Sequence, residues 1–170
     1  IGFIFQSYHL FPTLSALDNV RLALDVRGEH GWSARRRAKE ALRTVGLGHK
    51  TRSFPSELSG GEQQRVAIAR AIVGNAPIIL ADEPTAALDS KNGHAIMEIL
   101  AKIASDPTRA VLVVTHDPRI VPFAKRIIRI EDGSIESEER RSEGRGTVED
   151  HSFGDDHDMK KREQRVEEED

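Results

Sequence analysis

The sequence has 170 residues, 38% of them hydrophobic, which is enough for one domain with a sizeable core. It contains no cysteine, which excludes a disulfide framework and a thiolate metal site, and no apolar run near the roughly 20 residues that span a bilayer. The formal net charge is −3, and the 14 acidic and 7 basic residues of positions 136–170 leave +4 for positions 1–135. The small positive charge of positions 1–135 gives no support to nucleic-acid binding.

The first predicted elements are a short strand and a helix. Residues 2–5 are typical of the end of a buried strand. Ser15 is the predicted N-cap of a helix over residues 16–26, because Asp18 follows at the capping-box position.

Two more helices are predicted before the middle of the chain. Ser33 is the predicted N-cap of a helix over residues 34–45, which Gly46 ends. Residues 62–74 are then predicted to form a helix that begins directly after a pair of glycines.

The second half of the chain alternates strands with a helix. Residues 77–82 and 110–115 are apolar runs of strand length, typical of a sheet that is covered on both faces. Residues 90–104 have the apolar spacing of a helix, and residues 126–130, followed by an Asp-Gly turn, indicate a strand that enters a hairpin. Strands that alternate with helices predict an α/β fold with a mostly parallel sheet.

The composition changes near Gly133. From residue 137 to residue 170 the sequence is nearly all charged, Gly or Ser, and such a segment buries too little apolar surface to offset its ordering entropy. We therefore predict a disordered tail over residues 137–170, with a frayed helix around residues 159–168. A tail that docks on a partner is the alternative.

The apolar strand over residues 77–82 ends at two adjacent carboxylates, Asp82 and Glu83. At the carboxyl end of a parallel strand they would face the crevice where α/β proteins bind ligands. The first acid is suited to holding Mg²⁺ and the second to polarising an attacking water, which is the division of roles that phosphoryl transfer needs. A solvated strand end without function is the alternative.

A second candidate is the segment Leu58-Ser59-Gly60-Gly61-Glu62. Its glycines allow a phosphate to approach the backbone closely, and the helix that follows supplies free amide donors and a positive dipole end. The alternative is a capping box formed by Ser59 and Glu62, which is compatible with phosphate binding because it would stiffen the same turn.

Two strand-end residues complete the candidate site. His116 follows the strand over residues 110–115 and can reach the same crevice, where it would contact a terminal phosphate or orient the water with Glu83. Gln6 follows the first strand and can touch Mg²⁺ or the water. For both residues, a solvent-facing strand end is the alternative.

In order, these segments strongly resemble the ATP-binding cassette (ABC) family. The family's Gln loop, signature, Walker B segment, D-loop and switch His correspond to Gln6, residues 58–62, residues 80–85, residues 87–89 and His116. The resemblance runs from residue 1 to about 135. It implies a P-loop NTPase-like sheet with an inserted α-helical arm over about residues 14–70, and a catalytic core remainder over about residues 71–136.

The resemblance also implies ligands and roles. ATP and Mg²⁺ would be bound at the interface of a head-to-tail dimer, with Asp82 and Gln6 serving the metal. Glu83 would be the general base, assisted by Gln6 and by His116, which senses the γ-phosphate. The residues implied to contact nucleotide are Ser59, Gly60, Gly61, Glu62 and Asp89.

The implied partners are a transmembrane permease subunit, which the arm meets, and a second nucleotide-binding subunit, identical or different. The implied location is cytoplasmic, on the inner face of the cell membrane, with membrane contact only through the permease and no nucleic acid. Residues 3–6, 10–14 and 18–20 are similar to exporter-type subunits of the lipoprotein-releasing and macrolide-export group, and residues 82–91 to its heterocyst glycolipid-exporter relatives.

The sequence departs from the family in one respect. Only five residues precede Gln6, and no Gly-x-x-x-x-Gly-Lys-Ser/Thr phosphate loop occurs in the 170 residues. We therefore expect an N-terminally truncated cassette that exposes the sheet edge or face its missing strands would cover, folds poorly and hydrolyses no ATP alone. The alternatives are a non-catalytic cassette remnant and a soluble ABC-type ATPase of DNA repair, which the compact stretch from Gln6 to Leu58 opposes.

Overall fold

The computed structural model describes residues 1–141 and, for the backbone, residues 149–152. The chain divides into two compact units, Ile1–Phe123 and Ala124–Asp170. Among the described residues, no helix combines the length and the apolar character that crossing a membrane requires.

The first unit has three strands, four α-helices and two short 3-10 helices. In chain order they are β1 (Gly2–Ile4), α1 (Ala16–Asp25), α2 (Gly31–Thr44), a 3-10 helix (Pro55–Glu57), α3 (Gly60–Ile72), β2 (Ile78–Asp82), α4 (Ser90–Ala104), β3 (Ala110–Val114) and a second 3-10 helix (Pro118–Phe123). The predicted elements of this unit are all present, most of them with ends shifted by one or two residues.

The three strands of the first unit form a parallel sheet in the order β1-β2-β3. Ile4 lies beside Ala81, and Asp82 lies beside Val114, so the carboxyl ends of all three strands lie along one edge. This confirms the predicted α/β fold with a parallel sheet, and it places the residues that follow each strand close together.

The two faces of this sheet differ in burial. Ile4, Ile79 and Ala81 belong to the hydrophobic core, whereas on the opposite face Leu112 is 55% exposed and Val114 is 60% exposed. Because strand side chains alternate between faces, the apolar runs of β2 and β3 supply apolar residues to both. Only one face is covered within the first unit.

The first three helices pack together ahead of β2. Ser15 caps α1 as predicted, since its Oγ accepts from the backbone N–H of Asp18 at 3.2 Å. Asn19 is fully buried and holds the preceding loop by donating to the carbonyl oxygens of Phe11 and Leu14. The loop before α1 is therefore tied to the helix that follows it.

The predicted start of α2 is wrong. The helix begins at Gly31, with His30 at the N-cap, and the predicted cap Ser33 lies in its first turn. Gly31 adopts φ 75°, which lets the chain turn into the helix without a serine cap. Gly46, with φ 78°, follows the helix as predicted.

The second unit contains an antiparallel hairpin. Strand β4 (Arg126–Glu131) pairs with β5 (Ser134–Arg140), and β6 (Glu149–Ser152) pairs with β5. Asp132 and Gly133 both have positive φ, which makes the two-residue loop a type I′ turn. This confirms the predicted hairpin.

The predicted tail needs correction. The structure places residues 137–140 in β5 and residues 149–152 in β6, where we predicted a disordered tail over residues 137–170. Composition was misleading because the charges are paired: Glu138 accepts from both Arg126 and Arg140 at 2.9 Å. These bonds lower the pKa of Glu138 to about 2. Residues 142–148 and 153–170, including the predicted helix around 159–168, lie outside the described residues.

Candidate active site

The carboxyl edge of the parallel sheet gathers four of the candidate residues. Asp82 is the last residue of β2 and Glu83 follows it. His116 lies two residues beyond the end of β3, and Gln6 lies two residues beyond the end of β1. The sheet order therefore brings together residues that are up to 110 positions apart in the sequence.

The carboxylate of Glu83 is the best-defined group at this edge. It accepts hydrogen bonds from Thr115 Oγ1 at 3.0 Å, from the backbone N–H of His116 at 3.0 Å and from His116 Nδ1 at 2.6 Å. The Glu83 side chain is 18% exposed, whereas the His116 side chain is 87% exposed. The base candidate is thus held in place, and the histidine that holds it remains open to solvent.

The electrostatic surroundings keep Glu83 ionised. Burial raises the pKa of this carboxyl, but the hydrogen bonds from His116 and Thr115 outweigh that effect, so its pKa lies below the ordinary 4.5. An ionised carboxylate only accepts hydrogen bonds, so the imidazole of His116 must carry its proton on Nδ1 in this arrangement.

The backbone at Glu83 is also unusual. Its φ is 44°, in the left-handed region that residues other than glycine rarely adopt, and its N–H donates to the carbonyl oxygen of Val114 at 2.9 Å. Strained backbone of this kind is concentrated at functional sites.

Asp82 is suited to a partial magnesium site. Its carboxylate is exposed at the strand end, and oxygen ligands are those that Mg²⁺ prefers. Within residues 1–141 and 149–152, no group of three or more His, Cys, Asp or Glu side chains is arranged to hold a metal. Mg²⁺ is commonly held by one or two carboxylates, and substrate phosphates and water complete its coordination.

Residues 58–62, the signature turn, contain the predicted capping box of Ser59 and Glu62. Ser59 Oγ accepts from the backbone N–H of Glu62 at 3.3 Å, and Glu62 Oε2 accepts from the backbone N–H of Ser59 at 2.9 Å. That backbone bond to Ser59 is the main cause of a lowered Glu62 pKa, helped by Lys50, whose Nζ lies 3.7 Å from Glu62 Oε1. Glu62 therefore shapes the turn.

Both glycines of this turn lie against other parts of the chain. A Cβ at Gly60 would lie 2.9 Å from Tyr8 Oη, and a Cβ at Gly61 would lie 2.8 Å from Asn92 Oδ1. The start of α3 is thus in close contact both with the segment after Gln6 and with the first turn of α4. Any residue with a side chain would push these neighbours apart.

Asp89 is the N-cap of α4. Its carboxylate accepts from the backbone N–H of Asn92 at 3.0 Å and from the Asn92 side-chain amide at 2.6 Å, and the backbone bond is the main cause of its lowered pKa. Because Asn92 also contacts Gly61, Asp89 and the signature turn belong to one group of residues. Among the described residues, the Glu83 carboxylate accepts its hydrogen bonds from Thr115 and His116. Asp89 and the signature turn therefore form a group that is separate from the residues at the strand edge.

One residue that links the two groups was not predicted from the sequence. Gln64 is fully buried in α3, and its Nε2 donates to the carbonyl oxygen of Pro84 at 2.8 Å, directly after Glu83. Gln64 lies three residues before Ala67 and four before Ile68, and this spacing places all three on the buried side of α3. That spacing could have shown from the sequence that Gln64 is buried. Thr115, whose hydroxyl donates to Glu83, is the other site residue that was not predicted from the sequence.

The comparison with family models decides the identity. Residues 1–86, just over half of the chain, match the ABC transporter model. The chain belongs to the ABC transporter family. The predicted family resemblance is therefore confirmed, and the parallel sheet with its packed helices is part of an ABC cassette.

Relatives of this cassette include an ABC transporter ATP-binding protein of Methanocaldococcus jannaschii, 48% identical over 82% of this chain and 61% of the relative. A macrolide export ATP-binding/permease protein, MacB, of Nitrobacter winogradskyi is 50% identical over 81% of this chain and 21% of the relative. A MacB protein of Campylobacter jejuni is 48% identical over 83% and 22%. The chain thus spans about 61% of the shorter relative and about a fifth of the MacB proteins.

Two solved structures of an ABC cassette are similar to the structure of this chain, and each is 48% identical to it in sequence. Each covers 82% of this chain and 62% of the solved chain, with TM-scores of 0.71 and 0.72. Both are described as dimeric, and the first as a post-hydrolysis state bound to ADP and Pi. At this identity, the likeness confirms the ABC ATPase fold.

Proposed function

We propose that this cassette is the ATP-binding and ATP-hydrolysing subunit of an ABC exporter, and that ATP-driven closure of a cassette dimer powers transport. The observation that carries the proposal is the carboxylate of Glu83, which His116 and Thr115 hold at the carboxyl edge of the parallel sheet. Membership of the ABC transporter family supports it.

The strand edge would supply the hydrolytic groups. Glu83 polarises the water that attacks the γ-phosphorus, and its lowered pKa keeps the carboxylate ionised so that it can accept a hydrogen bond from that water. Asp82 and Gln6 would hold Mg²⁺, which would neutralise the charge that develops on the phosphate oxygens. Most of the protein's contribution is therefore positioning and charge compensation.

His116 would act as the sensor of the γ-phosphate. While its Nδ1–H donates to Glu83, the other ring nitrogen of a neutral imidazole can only accept a hydrogen bond. His116 must therefore leave Glu83 or take up a proton before it can donate to a phosphate oxygen. Either event would couple arrival of the phosphate to a change at the base.

The signature turn would act on the opposite subunit's nucleotide. Ser59, Gly60 and Gly61 lie at the start of a 13-residue helix, whose amides and dipole favour an anion. Glu62 would support the turn through its capping bond, and Asp89 would cross the dimer interface. The dimeric state of the similar solved cassettes supports this arrangement.

The partners follow from the same reasoning. The arm, about residues 14–70, would contact a transmembrane permease, and the core remainder, about residues 71–136, would carry the hydrolytic edge. Relatives named as ATP-binding/permease proteins for macrolide export support the exporter type. The location would be cytoplasmic and peripheral on the inner membrane face, with a second cassette as dimer partner.

The test is steady-state ATP hydrolysis by the complete gene product carrying Glu83→Gln. Loss of a general base should lower turnover by about a hundredfold or more while ATP still binds. Glu98→Gln, an equal change of charge on the exposed side of α4, is the control and should keep wild-type turnover. Turnover of Glu83→Gln at the wild-type rate would show that Glu83 is not the base. The 170-residue polypeptide alone, which contains no phosphate loop, should not hydrolyse ATP.

A further inference from the structure

The segment after Gln6 has a strained backbone. Tyr8 and His9 are consecutive residues with φ 48° and 46°, in the left-handed region where residues other than glycine are rare. Two such residues in a row persist only where neighbouring groups hold them. They lie between Gln6 and the loop that leads into α1, so their conformation sets the direction in which the chain leaves the sheet edge.

Arg70, in the last turn of α3, holds this segment. Its guanidinium donates from Nη1 to the carbonyl oxygen of His9 at 2.5 Å and from Nη2 to the carbonyl oxygen of Tyr8 at 2.7 Å, across 61 and 62 positions of sequence. Burial lowers the pKa of Arg70. A planar guanidinium can serve two adjacent carbonyl groups at once, and the point charge of a lysine lacks that fork geometry.

The same segment also contacts the other end of α3. The Tyr8 hydroxyl lies 2.9 Å from the Cβ position at Gly60, in the signature turn, and burial raises the pKa of this phenol. The ring of His9 packs edge-on against Phe5, with ring centroids 5.0 Å apart. The segment of residues 8 and 9 is thus hydrogen-bonded to the last turn of α3 and lies against its first turn.

We propose that Arg70 is a positioning residue for ATP hydrolysis: by clamping the Tyr8 and His9 carbonyl groups, it fixes Gln6 and joins its movement to that of the signature helix. The proposal rests on the proposed function, since it gives Gln6 a role at the metal and the attacking water. A displacement of Gln6 is then carried to α3 through Arg70 at one end and Tyr8 at the other.

The experiment compares Arg70→Lys with Arg37→Lys in the complete gene product. Arg37 is the matched control because it is a half-buried arginine whose Nη2 donates to the carbonyl oxygen of Val73, at the same end of α3, and whose Nη1 pairs with Glu29. We expect Arg70→Lys to lower kcat about tenfold or more with unchanged KM for ATP, and to raise the Mg²⁺ concentration needed for half-maximal rate. Arg37→Lys should leave all three values at wild type, and equal effects of the two variants would overturn the proposal.

A double variant tests whether Arg70 acts through Gln6. Combining Arg70→Lys with Gln6→Ala should lower kcat no further than Gln6→Ala alone, and multiplicative losses would contradict the proposal. If Arg70→Lys does not fold, His9→Gly replaces it, because glycine frees the segment and leaves Arg70 and α3 intact. His9→Gly should then lower kcat with unchanged KM, and a wild-type kcat would overturn the proposal. If the unmodified gene product itself hydrolyses no ATP, the proposed function fails first.

Discussion

Glu83 combines three properties that are seldom found together in a residue of purely structural importance. Its backbone is left-handed, its carboxylate accepts from a histidine and a threonine of the neighbouring strand end, and it directly follows a carboxylate exposed at the end of β2. Each property alone has an ordinary structural explanation. Their coincidence at the carboxyl edge of a parallel sheet is what favours a role in hydrolysis.

Glu83 should also make the stability of the fold depend on pH. Because its folded-state pKa lies below the ordinary 4.5, its hydrogen bonds stabilise the fold above that pH, and this contribution is lost as the pH falls through the lowered value. The free energy of unfolding should therefore drop less between pH 7 and pH 3 in Glu83→Gln than in the wild type. Urea unfolding at both pH values measures this, with Glu98→Gln as the control. Equal drops in wild type and Glu83→Gln would contradict the assigned bonding.

At this scale, residue type and position predicted part of the site. Asp82, Glu83, His116 and Gln6 could be grouped from the sequence because each lies at or just beyond the end of a strand that was itself predictable. The sequence did not show Arg70, because its two acceptors are backbone carbonyl groups that leave no mark on side-chain chemistry. Interactions of this kind depend on the path of the chain and become visible only in the structure.

Among the elements, α3 carries the largest share of the proposed mechanism. Its first turn is the signature, its buried Gln64 donates to the residue after Glu83, and its last turn holds the segment after Gln6. A rigid helix of 13 residues transmits displacement from one end to the other. The capping box at Ser59 is therefore important beyond the stability that it supplies.

Removal of that cap gives a prediction with a control from the same chain. Ser59→Ala should lower the free energy of unfolding by about 1 kcal/mol, because the N–H of Glu62 loses its acceptor. Ser33→Ala should lower it little or not at all, because Ser33 is exposed in the first turn of α2 and does not cap it. Urea unfolding of the complete gene product measures both. If Ser33→Ala lowered the free energy of unfolding more than Ser59→Ala, then Ser33 would be the cap of α2, as the sequence predicted.

The contrast between these serines explains where element boundaries were and were not predictable. A serine followed three residues later by an acid identified the caps of α1 and α3. Ser33 lacks that acid, and a glycine with positive φ makes the turn into α2 instead. Residues 137–140 of β5 were missed for another reason: their apolar content is low, and their ion pairs with β4 depend on a register that composition does not reveal.

Within the first unit, the exposed face of the parallel sheet is the main large feature. Phe3, Leu112 and Val114 are exposed on it, and the rings of Phe3 and Phe5 stack with centroids 6.0 Å apart. Contiguous apolar surface of this kind is unusual on a protein that is monomeric in solution. It agrees with our expectation that these 170 residues alone expose a sheet face.

This face predicts how the isolated polypeptide behaves. The 170-residue chain should self-associate and bind an apolar dye, and Leu112→Ser should reduce both effects at a stability cost within about 0.5 kcal/mol, since the site is already exposed. Ile79→Ala, a change on the buried face of the same sheet, should instead cost about 2–5 kcal/mol. Dye fluorescence, light scattering and urea unfolding measure these effects. Undiminished dye binding by Leu112→Ser would place the apolar surface elsewhere.

ATP-driven closure of the dimer is tested most directly by measuring the mass of the complete gene product carrying Glu83→Gln. Sedimentation would measure this mass without nucleotide, with Mg-ATP and with Mg-ADP. Two ATP molecules held between opposed cassettes, with hydrolysis blocked, should convert the protein to a species of twice the nucleotide-free mass, and ADP should not replace ATP. The same mass under all three conditions, with ATP bound, would contradict ATP-driven closure as the function of this cassette.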